Sequence, residues 1–183
     1  MLHTFVVYVE NKPGVLSRVV SLFRRRAFNI DSLTVGRTEK DDVSRMTIVT
    51  DADQDQARRI VANIYKLVNV LLVDDITGQP ALLRDLSLVK VAASAGDARS
   101  QVLELATVFK ARVLDIAADS ITLELTGGEE KVDRFLELLT PFGLLEVVRT
   151  GVVAMRRGKK SPAVVSKAEL PTVVEDSTVS HSV

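Results

Sequence analysis

Asn11-Lys12-Pro13-Gly14-Val15-Leu16, followed at a distance by Asn29-Ile30, is the group of residues whose types and spacing point to a ligand. A Pro-Gly turn that feeds a helix leaves the first backbone N–H groups without acceptors and aimed at one spot. Such a spot suits a small anion, a carboxylate above all. The amides of Gly14, Val15 and Leu16 are the expected donors, and the Asn11 side chain both donates and accepts. Each charge-assisted contact is worth about 1.5–3 kcal/mol once desolvated. Val15, Leu16 and Val35 offer apolar neighbours for a short aliphatic group. The same residues also describe a bare strand-to-helix turn, with Pro13 at the first helical position and Gly14 permitting close approach. Spacing alone leaves both readings open.

Asn29 lies at the far end of the same helix. Asn commonly ends helices because it tolerates the left-handed conformation, so a C-cap is its plain reading. Residues 14–26, about thirteen helical residues, span roughly 20 Å, more than one amino acid can bridge. If the loop and Asn29 touch one ligand, they come from two chains. A two-fold axis would then create two equivalent sites.

The remaining polar residues suggest no reaction. His3 opens a strand and His181 lies near the end of the chain, neither with a partner for acid–base work or a triad. Asp41-Asp42, Asp74-Asp75 and Glu129-Glu130 fall at turns or helix starts and read as caps or solvated faces. Gly127-Gly128 precedes a helix but lacks the lysine and hydroxyl of a phosphate loop. Arg24-Arg25-Arg26 sits in the last turn of a helix, where cations complement the dipole, and is also a candidate docking surface for an acidic partner.

The elements that position these residues follow from periodicity. Residues 2–10 predict a strand, with Phe5, Val6, Val7, Tyr8 and Val9 β-branched or aromatic. Residues 14–26 predict a helix whose apolar face is Leu16, Val19, Val20 and Phe23. Strands over 30–38 and 44–50 flank the polar turn 39–42. A helix follows from Asp53 to Leu67, N-capped by Asp51 or Asp53, and then a strand at Val70–Val73. This β-α-β-β-α-β order is that of the ferredoxin-like split βαβ. It repeats: a strand at 86–93, a helix at 98–110, strands at 112–117 and 120–126, a helix at 129–140 and a strand at 144–150. The fold class expected is α+β, two βαββαβ units about eighty residues apart. The domains expected are 1–77 and 85–157, with a linker at 78–84 around Gly78-Gln79-Pro80. Residues 158–183 lose all periodicity and read as a disordered tail, whose Val-Val pairs at 164–165 and 173–174 offer a partner a short strand.

Composition narrows the function. Hydrophobic residues make up 46% and charged residues 26%, as in soluble globular proteins. The 24 basic and 24 acidic residues cancel, which argues against a nucleic-acid binder. The βαββαβ order also serves RNA recognition, but that needs exposed aromatics and a basic surface, and aromatics are only 4%. The chain has no cysteine, which excludes disulfides and zinc thiolate sites. No apolar run approaches the ~20 residues of a membrane span, and no secretory pattern opens the chain, so a cytoplasmic location is expected, without membrane or nucleic-acid partners.

Two stretches carry a family resemblance. Phe5 through Asn11-Lys12-Pro13-Gly14-Val15-Leu16-Ser17-Arg18-Val19 resembles the ligand-binding start of an ACT domain. Phe28-Asn29-Ile30-Asp31-Ser32-Leu33-Thr34-Val35, Ser44-Arg45-Met46-Thr47-Ile48 and Tyr65 to Leu71 resemble, more narrowly, the small regulatory subunit of acetolactate synthase. Leu88-Val89-Lys90-Val91 and Val147 to Val153 fit the same family, so the resemblance covers about 2–158. It implies a subunit without catalytic activity or cofactors of its own. Its partner would be the large catalytic subunit, which uses thiamine diphosphate, magnesium and FAD. The small subunit would raise that partner's activity and confer feedback inhibition by valine, sometimes by leucine or isoleucine, in branched-chain amino acid synthesis. The resemblance implies a homodimer through the ACT domain with valine between two chains, held by Asn11, Pro13, Gly14, Val15 and Leu16 of one and Asn29 and Ile30 of the other. The second unit departs from the pattern, with Ala95-Gly96-Asp97 where the first has Asn-Lys-Pro-Gly, and no equivalent site is expected there. A stand-alone ACT-domain sensor of another enzyme or of transcription is the alternative.

Overall fold

The computed structural model describes residues 1–94 and 96–158 of the 183-residue chain. The expected tail from Lys159 onward, with its Val-Val pairs and His181, lies outside them, as does Ala95.

The first unit runs β1 (Leu2–Glu10), α1 (Val15–Arg25), β2 (Ser32–Arg37), β3 (Val43–Asp51), α2 (Gln54–Ile64) and β4 (Val70–Asp75). Its sheet has the order β2-β3-β1-β4, all antiparallel. Alternation along β1 separates two faces. Phe5, Val7 and Val9 join Val15, Val19, Leu22 and Phe23 of α1 and Ala57, Ile60 and Ile64 of α2 in one core. Val6 and Tyr8 point to the other face.

The second unit repeats the order with β5 (Ala81–Ala92), α3 (Asp97–Phe109), β6 (Arg112–Ile116), β7 (Ser120–Gly127), α4 (Glu129–Leu139) and β8 (Leu144–Arg149), in a sheet ordered β6-β7-β5-β8. Val89, Val91, Ile121, Leu123 and Leu125 meet Val102, Val132, Phe135 and Leu139 in a separate core. Asp85 is 2% exposed and pairs with Arg149 at 2.6 Å. Burial works against the Arg149 charge, but hydrogen bonds to Asp85 and Asp133 outweigh it and hold its pKa above the ordinary value.

Four local features differ from expectation. Helix α1 starts at Val15, with Gly14 as N-cap at φ 81°, so Pro13 precedes the cap rather than opening the helix. The helix ends before Asn29. Its left-handed residue is Ala27 (φ 55°), with the Ala27 amide on Arg24 O and the Phe28 amide on Phe23 O. That is a Schellman motif, sealed by the edge-on contact of Phe28 with Phe23 at 6.2 Å. Helix α2 stops at Ile64 rather than Leu67, and its N-cap is Asp53 in a capping box with Gln56. In the expected linker 78–84, residues from Ala81 onward already belong to β5.

The fourth feature is a further strand, β9 (Val153–Arg156), which pairs with Ala81–Arg84 at the start of β5. It folds back over the first sheet. Val152 and Ala154 bury against Val6, Val49 and Ile76 in a third apolar cluster between the units. Thr34 Oγ1 donates to Val152 O at 2.9 Å, and the Val152 amide donates to Ser32 Oγ at 2.9 Å. Arg45 donates to Ala154 O, and Arg156 forms a two-pronged pair with Asp74.

Candidate functional site

The Asn11–Leu16 loop is braced by the β2–β3 turn. The Asn11 amide donates to Asp42 O at 2.7 Å, and its Nδ2 donates to Asp41 O at 2.9 Å. The Asn11 carboxamide therefore holds the loop with its donor and keeps its oxygen for other partners. The Val15 amide makes a long 3.4 Å contact with Lys12 O, and the first full helical bond is Arg18 N–H to Gly14 O at 3.1 Å. Among the described residues no side chain caps this helix, and the Leu16 and Ser17 amides, in the first turn, lack intrahelical acceptors. No acidic residue occupies that turn, which leaves the positive end of the helix dipole unanswered.

The side chains of the loop divide differently from the sequence reading. Val15 is buried in the core at 4% exposure. Leu16 and Val20, expected on the buried face, are 41% and 38% exposed. They sit one turn apart and give the helix start an apolar flank on its open side. The buried stripe is Val15, Val19, Leu22 and Phe23.

Asn29 and Ile30 occupy the other end of α1. Asn29 is exposed and its Nδ2 donates to Asp31 Oδ1 at 3.1 Å. Asp31 is itself held by the Asp51 amide on Oδ2 at 2.8 Å, and the Asn29 carbonyl takes the Thr50 hydroxyl. Ile30 is half-buried against the first core. The eleven residues of α1 separate this group from the loop by about 16 Å, so one chain does not bring the two together. Asp31 belongs to the resembling run but not to the candidate site residues read from the sequence. Its position two residues after Asn29, in reach of that side chain, was the available signal.

In the second unit the matching helix start has Gly96 as N-cap, and Asp97 stands in the first turn. Arg99 donates to Ala93, Ala117 and Ala118 carbonyls at 2.6–3.1 Å, tying that helix to the strand ends. His3 is buried, stacked on Phe5 at 5.9 Å with Nδ1 3.5 Å from Asp75. Among the described residues no group of three or more His, Asp or Glu is placed to hold a metal ion. No helix there is long and apolar enough to cross a membrane. The face an RNA-recognition sheet would offer is partly covered in the first unit by Val152 and Ala154.

The family models that match divide the chain as the fold does. Residues 5–72 match the acetolactate synthase small-subunit-like ACT domain, and 84–158 match the small subunit of acetolactate synthase. The chain is 48% identical over 160 residues to a probable acetolactate synthase small subunit of Archaeoglobus fulgidus, covering 87% of this chain and 99% of that one. It is 46% identical over 158 residues to the acetolactate synthase small subunit of Mycobacterium leprae, covering 86% and 93%. The crystal structure of the small subunit from Thermotoga maritima superposes with a TM-score of 0.81 at 34% identity, covering 87% of this chain and 99% of that one.

Proposed function

The chain belongs to the family of acetolactate synthase small subunits, and from that premise we propose that it activates a catalytic acetolactate synthase subunit and makes it sensitive to valine. The observation that carries the effector reading is the uncapped start of α1, with free first-turn amides beside the exposed Leu16. A carboxylate meets the amides there and a branched side chain meets Leu16. The α-ammonium needs acceptors, and Asn29 Oδ1 is suited to supply one because Nδ2 is committed to Asp31. Since α1 holds the two groups about 16 Å apart, the site is completed by a second copy across a two-fold axis, which makes the homodimer part of the mechanism.

Valine bridging two chains then favours one dimer arrangement over another. A coupling of about 1–3 kcal/mol to the catalytic subunit is enough for strong regulation. Thiamine diphosphate, magnesium and FAD belong in this reading to the catalytic partner, and the chain works in the cytoplasm beside it. Reconstitution tests it: the catalytic subunit is assayed alone, with this chain, and with this chain plus valine. Activity should rise on adding the chain and fall on adding valine. A catalytic subunit indifferent to the chain sinks the activating role, and a complex indifferent to valine sinks the effector.

A further inference from the structure

β9 covers only part of the outer face of the first sheet. Beside it a cavity of about 370 Å³ opens between the two units. Tyr8 and Arg45 of the first sheet form its floor, Arg37 and Glu39 come from the β2–β3 hairpin, and Met155 and Arg156 come from β9. Arg156 is neutralised by Asp74, with Nε 2.7 Å from Oδ2. Arg45 is not. It is half-buried, its guanidinium lies 5.7 Å from the Tyr8 ring centroid, and among the described residues its N–H groups reach only neutral oxygens, on Tyr8 at 3.4 Å, on Thr47 at 3.3 Å and on Ala154. Among the described residues neither Arg37 nor Glu39 has an ion-pair partner. Two uncompensated cations thus face one uncompensated carboxylate.

A half-buried guanidinium without a counter-ion carries a desolvation cost that an anion offsets, through charge-assisted bonds in fork geometry. The surplus of one positive charge suits a single negative charge. Tyr8, Val6, Ile76 and Met155 supply an apolar wall for an organic body. The geometry points to a second ligand site for a small organic carboxylate, held by Arg45 and Arg37 against Tyr8 and Met155. Its occupant touches both units at once and strengthens the seam between them. The site lies on the sheet face opposite α1 and does not rest on the valine reading.

The test uses the full chain, isotopically labelled, titrated with benzoate and, separately, with uncharged benzamide. Benzoate is chosen because its ring resembles no branched amino acid side chain. Saturable shifts of the Met155 methyl and of the Tyr8 and Arg45 amides are expected with benzoate and not with benzamide, with the Gly14 and Asn29 amides unmoved. Arg37→Ala removes a side chain without an ion pair among the described residues and should weaken benzoate about tenfold, as should Arg45→Lys, which keeps the charge and loses the fork. Non-saturating shifts, an equal response to benzamide, or an affinity unchanged in both variants would overturn the proposal.

Discussion

The amide of Val152 donates to the hydroxyl of Ser32 at 2.9 Å across 120 residues of chain. The Val152 carbonyl is taken by Thr34, so β2 side chains satisfy both backbone groups of one residue of the second unit. Ser32 follows Asn29, Ile30 and Asp31 directly. The loop expected to touch effector is therefore continuous in sequence with the two β2 residues that fasten the segment closing the seam between the units.

Gly151 allows that contact. It sits at φ 81°, and a Cβ there would lie 2.4 Å from Ser32 Oγ. Gly151→Ala should cost about 2 kcal/mol or more, from left-handed strain plus the clash, read by chemical denaturation. Hydrogen exchange should quicken across Val153–Arg156 while the first core stays protected. Uniform exchange behaviour would show that β9 is not a separable latch.

Ala27 holds a left-handed conformation that suits glycine better. Ala27→Gly relieves about 1–2 kcal/mol of backbone strain and loses about 0.4–1 kcal/mol to unfolded-chain entropy. A net gain of roughly 0.5–1 kcal/mol should appear as a higher denaturation midpoint. A loss of stability would mean the Schellman turn is not formed in solution.

Arg149→Met leaves the Asp85 carboxylate buried without its cation. The expected loss is about 3 kcal/mol, seen in the thermal or chemical unfolding of the second unit. Asp85→Leu combined with Arg149→Met should recover much of it, because the penalty lies in the orphaned charge. A double variant as weak as the single one would assign the loss to packing instead.

Under the effector reading, Asn29→Ala should weaken valine about tenfold or more. Asp31→Asn should have a smaller effect in the same direction, since it loosens the hold on Asn29. Both are read from the valine concentration that half-inhibits the reconstituted enzyme, with activation by the chain retained. An unchanged midpoint in both variants would remove this end of α1 from the site.

Periodicity is a sound guide to the elements wherever a segment has two unlike faces. Phe5, Val7 and Val9 alternate with residues of the outer face, and the α2 stripe of Ala57, Ile60, Val61 and Ile64 is legible, with Val61 only partly buried, while the choice between Asp51 and Asp53 as its N-cap is decided by the capping box of Asp53 with Gln56. Periodicity is weaker on α1. Val15, Leu16, Val19 and Val20 are all apolar, so more than one stripe is possible, and only the position of the sheet selects Val15 and Val19 for the core over Leu16 and Val20. β9 escaped notice because four residues give too short a pattern, and Val152 and Ala154 become buried only when a distant sheet arrives over them.

What the sequence determined by itself was local or repeated: two βαββαβ units, the Pro-Gly loop opening α1, and the separation by helix length of that loop from Asn29. These follow from residue periods and the rise of a helix, which need no knowledge of neighbours. Tertiary structure alone decided the seam: β9 over the first sheet, Ser32 and Thr34 on Val152, and Arg45 over Tyr8 at the edge of a cavity. Those contacts join residues more than a hundred positions apart in several cases. Their energy depends on distances that no local pattern encodes.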